Sequence, residues 1–244
     1  MARKREKKTR EERRAARRRR VFIAILASYI LTIGFVVYRM ITIGDGTEPV
    51  SGRTLPDYAK ILLECILGLV LMFLPSILAK RFTFEIPSGF YAAYVVFIYC
   101  AIYLGEVWSF FYLIKGWDVM LHGFSAIGLG IIGFTLVNLL NKDEHVRLNL
   151  SPFFVAFFAF CFALAAGAVW EIIEFTIDGV LGFNMQKFAL QDGTRLVGRA
   201  ALSDTMKDII VDTCGALIAQ AAGYLTIMKD RAGKAGPGDG KSDE

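Results

Sequence analysis

Long apolar runs, separated by short polar connections, dominate the chain. Six runs approach or exceed the roughly 20 residues that a membrane-spanning helix needs. We predict the spans at residues 21–43, 58–78, 90–114, 117–140, 152–177 and 204–228. The connections leave no room for a separate soluble domain. The pattern therefore predicts an all-α, polytopic membrane protein, built as one six-transmembrane-helix bundle.

The charges at the two ends predict the orientation of the chain. Twelve of the first twenty residues are Lys or Arg, which predicts a basic cytoplasmic segment at 1–20 by the positive-inside rule. Beside the bilayer, this segment would attract anionic lipid headgroups, and we do not expect it to bind nucleic acid. With six spans, both termini are then predicted to lie in the cytoplasm, and the protein is predicted to lie in the plasma membrane. The Gly-rich, charged tail at 229–244 is expected to be disordered.

Several helix starts and one long connection stand out in the sequence. Ser151 followed by Pro152 predicts an N-cap and first turn for span five, and Ser203 predicts the cap of span six. The first apolar run is too long for a cleaved signal peptide and predicts an uncleaved anchor. The connection 179–203 lies between spans five and six and mixes apolar with basic residues. It is predicted to lie on the membrane interface or to fold back as a lid.

Three acidic motifs lie inside the last three apolar spans. They are Asp118-x-x-x-His122, Trp170-Glu171-x-x-Glu174 and Asp204-Thr205-x-x-Asp208-x-x-x-Asp212. A charge at the bilayer centre costs roughly 3 kcal/mol on insertion scales. All three motifs fall in the predicted outer halves, whereas 124–140, 152–170 and 213–228 hold no Asp, Glu, Lys, Arg or His. This asymmetry indicates a binding site on one side of the membrane.

Spacing and charge balance indicate the kind of ligand. Residues three and four apart lie on one face of a helix, so each motif presents its polar groups together. From residue 100 to 215, outside the predicted cytoplasmic loop, nine acidic residues face five basic ones. Crowded carboxylates must be protonated or paired with a cation. Carboxylates with one imidazole suit a divalent metal such as Mg²⁺, Mn²⁺ or Zn²⁺.

Simpler roles are open for several of these groups. Asp204 also suits the positive end of a helix dipole, and Glu174 also suits a solvated position at the membrane surface. Glu64 in span two is expected to snorkel or to pair with Lys60. His122 by itself would also suit a buried histidine whose ring is hydrogen-bonded.

The motifs also resemble a known family. Asp118-x-x-x-His122 with its Gly-rich span, Trp170-Glu171-x-x-Glu174-x-x-x-Asp178, and Asp204-Thr205-x-x-Asp208-x-x-x-Asp212-x-x-Gly215 resemble the YjdF-like integral membrane proteins, over roughly 90–224. That resemblance implies no established activity. A more distant similarity is to VanZ-like proteins, in which Asn tends to stand at the position of Asp212.

We predict a metal-dependent hydrolase or transferase that acts on a lipid or lipid-linked phosphate at the outer leaflet. The predicted metal ligands are Asp118, His122, Glu171, Asp208 and Asp204. Glu174 or Asp212 would be the general base. Arg195, Arg199 and Trp170 are predicted to contact the substrate. A proton-coupled or cation transporter and a non-catalytic envelope scaffold are the alternatives.

Overall fold

The computed structural model describes residues 2–44, 53–83, 85–142, 150–190 and 192–234. Its regular structure within these ranges is helical, apart from one isolated antiparallel bridge between Ala189 and Arg195. The α-helices are α1 (Ala2–Gly44), α2 (Leu55–Arg81), α3 (Ser88–Ile98), α4 (Phe110–Leu113), α5 (Trp117–Lys142), α6 (Pro152–Leu181) and α7 (Ser203–Lys234). A π-helical segment (Tyr99–Val107) continues α3, and a 3₁₀ turn (Gly198–Ala200) precedes α7.

Six helical stretches are long and apolar enough to cross a membrane. They are Arg10–Ile43, Leu55–Arg81, Ser88–Val107, Trp117–Val137, Pro152–Leu181 and Ser203–Gly233. Each overlaps one predicted apolar run, so the prediction of an all-α protein with six long apolar helices is confirmed.

The third stretch ends earlier than the apolar pattern predicts. The pattern runs to residue 114, but the helix ends at Val107, and Ser109 then takes a left-handed conformation with φ 58°. The short helix α4 follows this reversal. Apolar side chains continue through the reversal, so hydropathy cannot reveal it.

The last helix ends later than predicted, at Lys234. Residues 229–234, which we predicted to be part of a disordered tail, are therefore helical. Charged residues end a hydrophobic span without ending the backbone hydrogen bonding of the helix, which accounts for the difference. Residues 235–244 of the predicted tail lie outside the described residues.

Of the two predicted helix caps, the structure confirms Ser151 and shifts the other by one position. The Ser151 Oγ accepts a hydrogen bond from the Phe154 backbone N–H at 3.1 Å, with Pro152 in the first turn of α6. Ser203 is the first residue of α7 rather than its cap, a difference of one position. Such one-residue shifts are usual at helix ends.

The chain divides into two compact units, Met1–Trp117 and Asp118–Glu244. In the first unit, Tyr29 is fully buried, and its ring centroid is 4.9 Å from that of Tyr103. Gly68 leaves room for the Tyr29 ring, because a Cβ at this position would overlap it. Buried aromatic rings therefore hold α1, α2 and the π-helical segment together.

In the second unit, small residues bring the helices together. A Cβ at Gly133 of α5 would lie 2.8 Å from the Cα of Ala159 in α6. A Cβ at Gly215 of α7 would lie 3.0 Å from the Cβ of Ala126 in α5. Close backbone approach through small residues is the usual way in which helices pack in lipid. This packing brings the three acidic motifs together.

Candidate functional site

Polar side chains from α5, α6 and α7 converge near one end of the second unit. Asp118 and His122 lie in the first two turns of α5, and Asp208 and Asp212 lie one turn apart on α7. His122, Asp208 and Asp212 are 7%, 3% and 2% exposed, respectively. Burial this deep in an apolar setting requires compensating partners. The expectation that spacing alone would gather these groups on one face is met for α5 and α7.

His122 lies between two carboxylates. Its Nδ1 is 3.2 Å from the Asp212 Oδ1, and its Nε2 is 3.8 Å from the Asp118 Oδ1. Gly167 of α6 makes room for the Asp212 carboxylate, because a Cβ at Gly167 would overlap it. The imidazole is therefore held through Nδ1, while its Nε2 faces the side of Asp118.

Asp118, His122 and Asp208 form a three-residue group that has the geometry of a cation site. One potential ligand atom from each lies within 4.8 Å of the other two. Two carboxylates and one imidazole are donors that suit Mg²⁺, Mn²⁺ or Zn²⁺. The Asp212 contact to the far nitrogen of His122 is the kind of outer partner that fixes a metal-ligating histidine. We call these three residues the donor group.

Glu171 and Glu174 of α6 lie beside the donor group. Glu171 is 4% exposed, and neither carboxylate oxygen has a hydrogen-bond partner among the described residues, although Thr205 and Gln186 lie nearby. Its carboxylate is close enough to interact electrostatically with His122 and Asp204. A buried carboxylate without a partner is costly, so this group calls for a proton, a water molecule or a cation.

Glu174 has a different environment. It is 8% exposed, and its Oε1 accepts a hydrogen bond of 2.9 Å from the Trp170 indole N–H. Trp170 itself is 39% exposed. The indole thus orients the Glu174 carboxylate from the outer surface of α6. The contact of Trp170 with a substrate stays a prediction.

A lysine from the connection between α6 and α7 enters the site. The Lys187 Nζ contacts the Asp118 Oδ2 and lies 3.1 Å from both carboxylate oxygens of Asp204. Burial by itself lowers the pKa of Lys187, but the attraction and hydrogen bonds of Asp118 and Asp204 outweigh burial and raise it above its ordinary value. The ammonium therefore stays charged and neutralises part of the acidic cluster. Asp204 contacts this lysine, and its role as a metal ligand stays a prediction.

The connection that carries Lys187 is tied down by its own hydrogen bonds. The Asp178 carboxylate at the end of α6 accepts the backbone N–H groups of Met185 at 2.8 Å and Gln186 at 3.0 Å. The Gln186 side chain donates to the Thr205 Oγ1 at 2.9 Å. Residues 184–189, which we call the Lys187 loop, therefore fold back over the ends of α6 and α7.

Comparison with known proteins places the chain in a family. The model of a family described as predicted membrane proteins, DUF2238, matches residues 18–229. The chain belongs to this family. An uncharacterized protein of Thermotoga maritima is 28% identical over 113 residues, which are 46% of this chain and 50% of that protein. The chain thus spans about half the length of this relative. No solved structure matches the chain.

Membership in DUF2238 agrees with the expected YjdF-like resemblance at the level of a family of predicted membrane proteins. The matched residues 18–229 include the donor group, Glu171, Glu174 and the Lys187 loop. The more distant similarity to VanZ-like proteins receives no support from these comparisons.

The two arginines predicted to contact substrate lie elsewhere in the connection. Arg195 forms the antiparallel bridge with Ala189, and Arg199 lies in the 3₁₀ turn. Both are exposed. The basic residue that the structure places among the carboxylates is Lys187.

In this DUF2238 protein, Lys187 was counted among the basic residues of the connection 179–203 and in the charge balance, but it was not predicted as a site residue. The backbone at Lys187 is left-handed with φ 45°, which is uncommon for a residue with a side chain. No local pattern predicts that conformation. The available signal was Asp178, because a carboxylate at a helix end often caps the backbone of the following turn.

Glu64, an acid singled out in the sequence analysis, lies in the first unit. Glu64 of α2 is 5% exposed, and the Lys60 Nζ lies 3.4 Å from its Oε1. The expected pairing of Lys60 with Glu64 one turn away is confirmed, whereas snorkelling of Glu64 to the surface is not observed.

Proposed function

We propose that this DUF2238 protein is a divalent-metal-dependent enzyme, a hydrolase or transferase, that acts on a lipid or lipid-linked phosphate at the outer leaflet of the plasma membrane. The observation that carries the proposal is the donor group, in which Asp118, His122 and Asp208 bring ligand atoms within 4.8 Å of one another. The burial of His122 and Asp208 supports a resident cation rather than loosely held surface ions.

The residues around the donor group fit a metal centre. Asp212 holds Nδ1 of His122, so Nε2 is directed to ligation. The unpartnered Glu171 carboxylate would complete the ligand set. Asp204 contacts Lys187, as Asp118 does, but it lies outside the three residues of the donor group. Mg²⁺, Mn²⁺ and Zn²⁺ all accept such a set.

The reaction would need a base and a polarised phosphate. A bound divalent ion acidifies water and stabilises charge on phosphoryl oxygens. Glu174, oriented by the Trp170 indole, is our choice for the base that takes the proton of the attacking water or hydroxyl. Asp212 is less suited to that role because it already contacts His122.

The position of the site suits a substrate that reaches it from the membrane surface. Asp118 and Asp204 lie at the starts of the apolar helices α5 and α7. If these helices span the membrane, both carboxylates would lie near the depth of the lipid phosphates. The exposed Arg195 and Arg199 would attract such phosphates to this end of the unit. The basic N-terminal segment would contact anionic headgroups on the cytoplasmic side.

Metal content tests the proposal directly. The protein would be purified in detergent and loaded in turn with Mg²⁺, Mn²⁺ and Zn²⁺, and bound metal would be measured by elemental analysis. We expect one ion per chain in the wild type and loss of most of it in Asp208→Asn, which removes one charge and ligand without changing shape. Asp192→Asn is the matched control, because Asp192 is an exposed acid of the connection.

Absence of bound metal in the wild type, or full retention in Asp208→Asn, would overturn the metal proposal. If metal binds, hydrolysis of phospholipids and lipid-linked phosphates would be screened with wild type and Glu174→Gln. We expect Glu174→Gln to keep the metal and to lose activity, because the amide cannot take a proton.

A proton-coupled carrier is the second candidate. The observation that favours it is the series Asp118, His122 and Asp212, which places three proton-exchanging groups in sequence along α5 and α7. Proteoliposome flux that follows a pH gradient and is lost in Asp212→Asn would favour this candidate over the enzyme.

A further inference from the structure

Hydrogen bonds within the Lys187 loop and to α6 hold Lys187 in the acidic cluster. Asn184 brackets the loop, because its side chain donates to the Ala189 carbonyl at 2.7 Å and accepts from the Ala189 N–H at 2.9 Å. The Asp178 carboxylate holds the two residues before Lys187. Lys187 itself adopts a disfavoured left-handed backbone, which the surrounding hydrogen bonds must maintain.

The Lys187 ammonium shares a carboxylate with the donor group. The Asp118 Oδ2 contacts Lys187, while its Oδ1 is 3.8 Å from the His122 Nε2. A divalent ion on the donor group would therefore be separated from the ammonium by one carboxylate. Two cations this close repel each other strongly where water is largely excluded.

An anion in contact with both cations removes this repulsion. Phosphoryl oxygens bind divalent ions and lysine ammonium groups together in many phosphoryl-transfer sites. The side chain of Lys187 is 22% exposed, so it can be reached from outside while remaining part of the buried cluster. Arg195 and Arg199, by contrast, are exposed.

We propose that Lys187 is the phosphate-binding residue of the site, and that a phosphate group and the divalent ion bind cooperatively because the phosphate bridges the ion and the Lys187 ammonium. This inference rests on the proposed metal-dependent function. It assigns the anionic contact to Lys187 instead of Arg195 and Arg199, and it makes the substrate a phosphate monoester or diester whose charged end reaches the Lys187 loop.

Calorimetric titration of the full chain in a zwitterionic detergent would test the coupling. Mn²⁺ would be titrated without phosphate, with inorganic phosphate and with a short-chain phosphatidic acid. We expect phosphate to tighten Mn²⁺ binding by about 5-fold or more in the wild type, a usual size for coupling between sites. An effect of inorganic phosphate would indicate a small anion site, and an effect of phosphatidic acid alone would indicate a lipid headgroup site.

Three variants assign the coupling to Lys187. In Lys187→Met we expect tighter Mn²⁺ binding without phosphate, because the repelling charge is gone, and no further gain from phosphate. Lys187→Arg keeps the charge and should keep the coupling. Lys207→Met removes an exposed positive charge one turn from Asp204 and should behave as the wild type.

The outcomes separate the inference from the proposed function. If the wild type binds no Mn²⁺, the proposed metal function fails. If it binds Mn²⁺ with the same affinity with and without both phosphates, the metal function stands and the role of Lys187 is overturned. Coupling that persists in Lys187→Met would also overturn it. If Lys187→Met does not fold, loss of coupling in Lys187→Arg would count against the charge-based explanation.

Discussion

At the residue scale, the contact between His122 and Asp212 fixes the orientation of the imidazole in the candidate site. The imidazole Nδ1 lies 3.2 Å from the Asp212 Oδ1, and both side chains are buried. This contact depends on Gly167, whose missing side chain leaves the space that the Asp212 carboxylate occupies. Gly167 therefore makes room for a carboxylate of the site, whereas a glycine such as Gly133 makes room for the backbone of a neighbouring helix.

Gly167→Ala is therefore expected to weaken metal binding. The added Cβ would force the Asp212 carboxylate away from His122, and loss of such an outer partner typically costs about 10-fold or more in metal affinity. Titration of Mn²⁺ into the detergent-purified variant would measure the loss. Gly179→Ala is the control on the same helix, since a Cβ there would meet nothing within 4 Å. Equal affinity in the two variants would contradict the role of Gly167.

At this scale, the sequence predicted the acids and the histidine but not their partners. Helical spacing placed Asp208 and Asp212 on one face of α7, and the structure agrees. Spacing contains no information on Lys187, which reaches Asp118 across 69 positions of the chain. Contacts between distant segments depend on loop conformation, which local pattern does not determine.

At the scale of elements, α5 and α6 meet where neither has a bulky side chain. A Cβ at Gly133 would lie 2.8 Å from the Cα of Ala159, which is backbone and cannot turn aside. Because Asp118 and His122 are on α5 and Glu171 is on α6, this close approach also sets the distances within the site.

Gly133→Ala should destabilise the second unit. The two helices would have to separate, and overpacking of this kind typically costs about 1–3 kcal/mol. Thermal unfolding in detergent, followed by helical circular dichroism, should have a lower midpoint temperature in this variant than in the wild type. Gly128→Ala lies on the same helix with nothing within 4 Å of the added Cβ, and should unfold as the wild type does or at a slightly higher temperature. Identical midpoints for the two variants would argue against tight α5–α6 packing.

The Lys187 loop is the second element on which the site depends. Asp178→Asn replaces one of the two acceptor oxygens that hold Met185 and Gln186. We expect faster amide hydrogen exchange over residues 185–187, because the loop would open more often. The exposed Asp192→Asn serves as the control and should leave exchange in this segment unchanged. Unchanged exchange in Asp178→Asn would mean that other contacts hold the loop.

Hydrophobic pattern predicted the existence of the long helices better than their ends. The N-cap of α6 at Ser151 follows from one hydroxyl and one proline, which act locally. The early end of the third stretch at Val107 depends on a left-handed residue at Ser109 inside a continuous apolar run. Where composition does not change, a chain reversal leaves no hydropathy signal.

At the scale of the whole molecule, α7 is long enough to cross a bilayer, so residues near its two ends can report the membrane orientation. From Asp204 to Asp230 the helix rises roughly 39 Å, more than the roughly 30 Å hydrocarbon core. The helix is therefore long enough for its two ends to lie on opposite sides of a membrane. The basic segment within the first twenty residues predicts which side is cytoplasmic.

Cysteine labelling of intact cells would test that orientation. Cys65, Cys100, Cys161 and Cys214 would first be replaced by Ser. We expect Asp192→Cys to react with a membrane-impermeant maleimide in intact cells, and Asp230→Cys to react only after permeabilisation. The reverse result would place the site in the cytoplasm and would overturn the proposed action at the outer leaflet.

The sequence by itself determined the class of the protein, its six apolar helices and the residues that form the donor group. These features follow from composition and from helical periodicity, which act over a few turns of chain. Only the tertiary structure decided that the helices form two compact units, that Asp212 supports His122 and that Lys187 neutralises Asp118 and Asp204. Those features depend on close helix approach at glycines and on the backbone of one loop, and both are set by contacts between segments far apart in sequence.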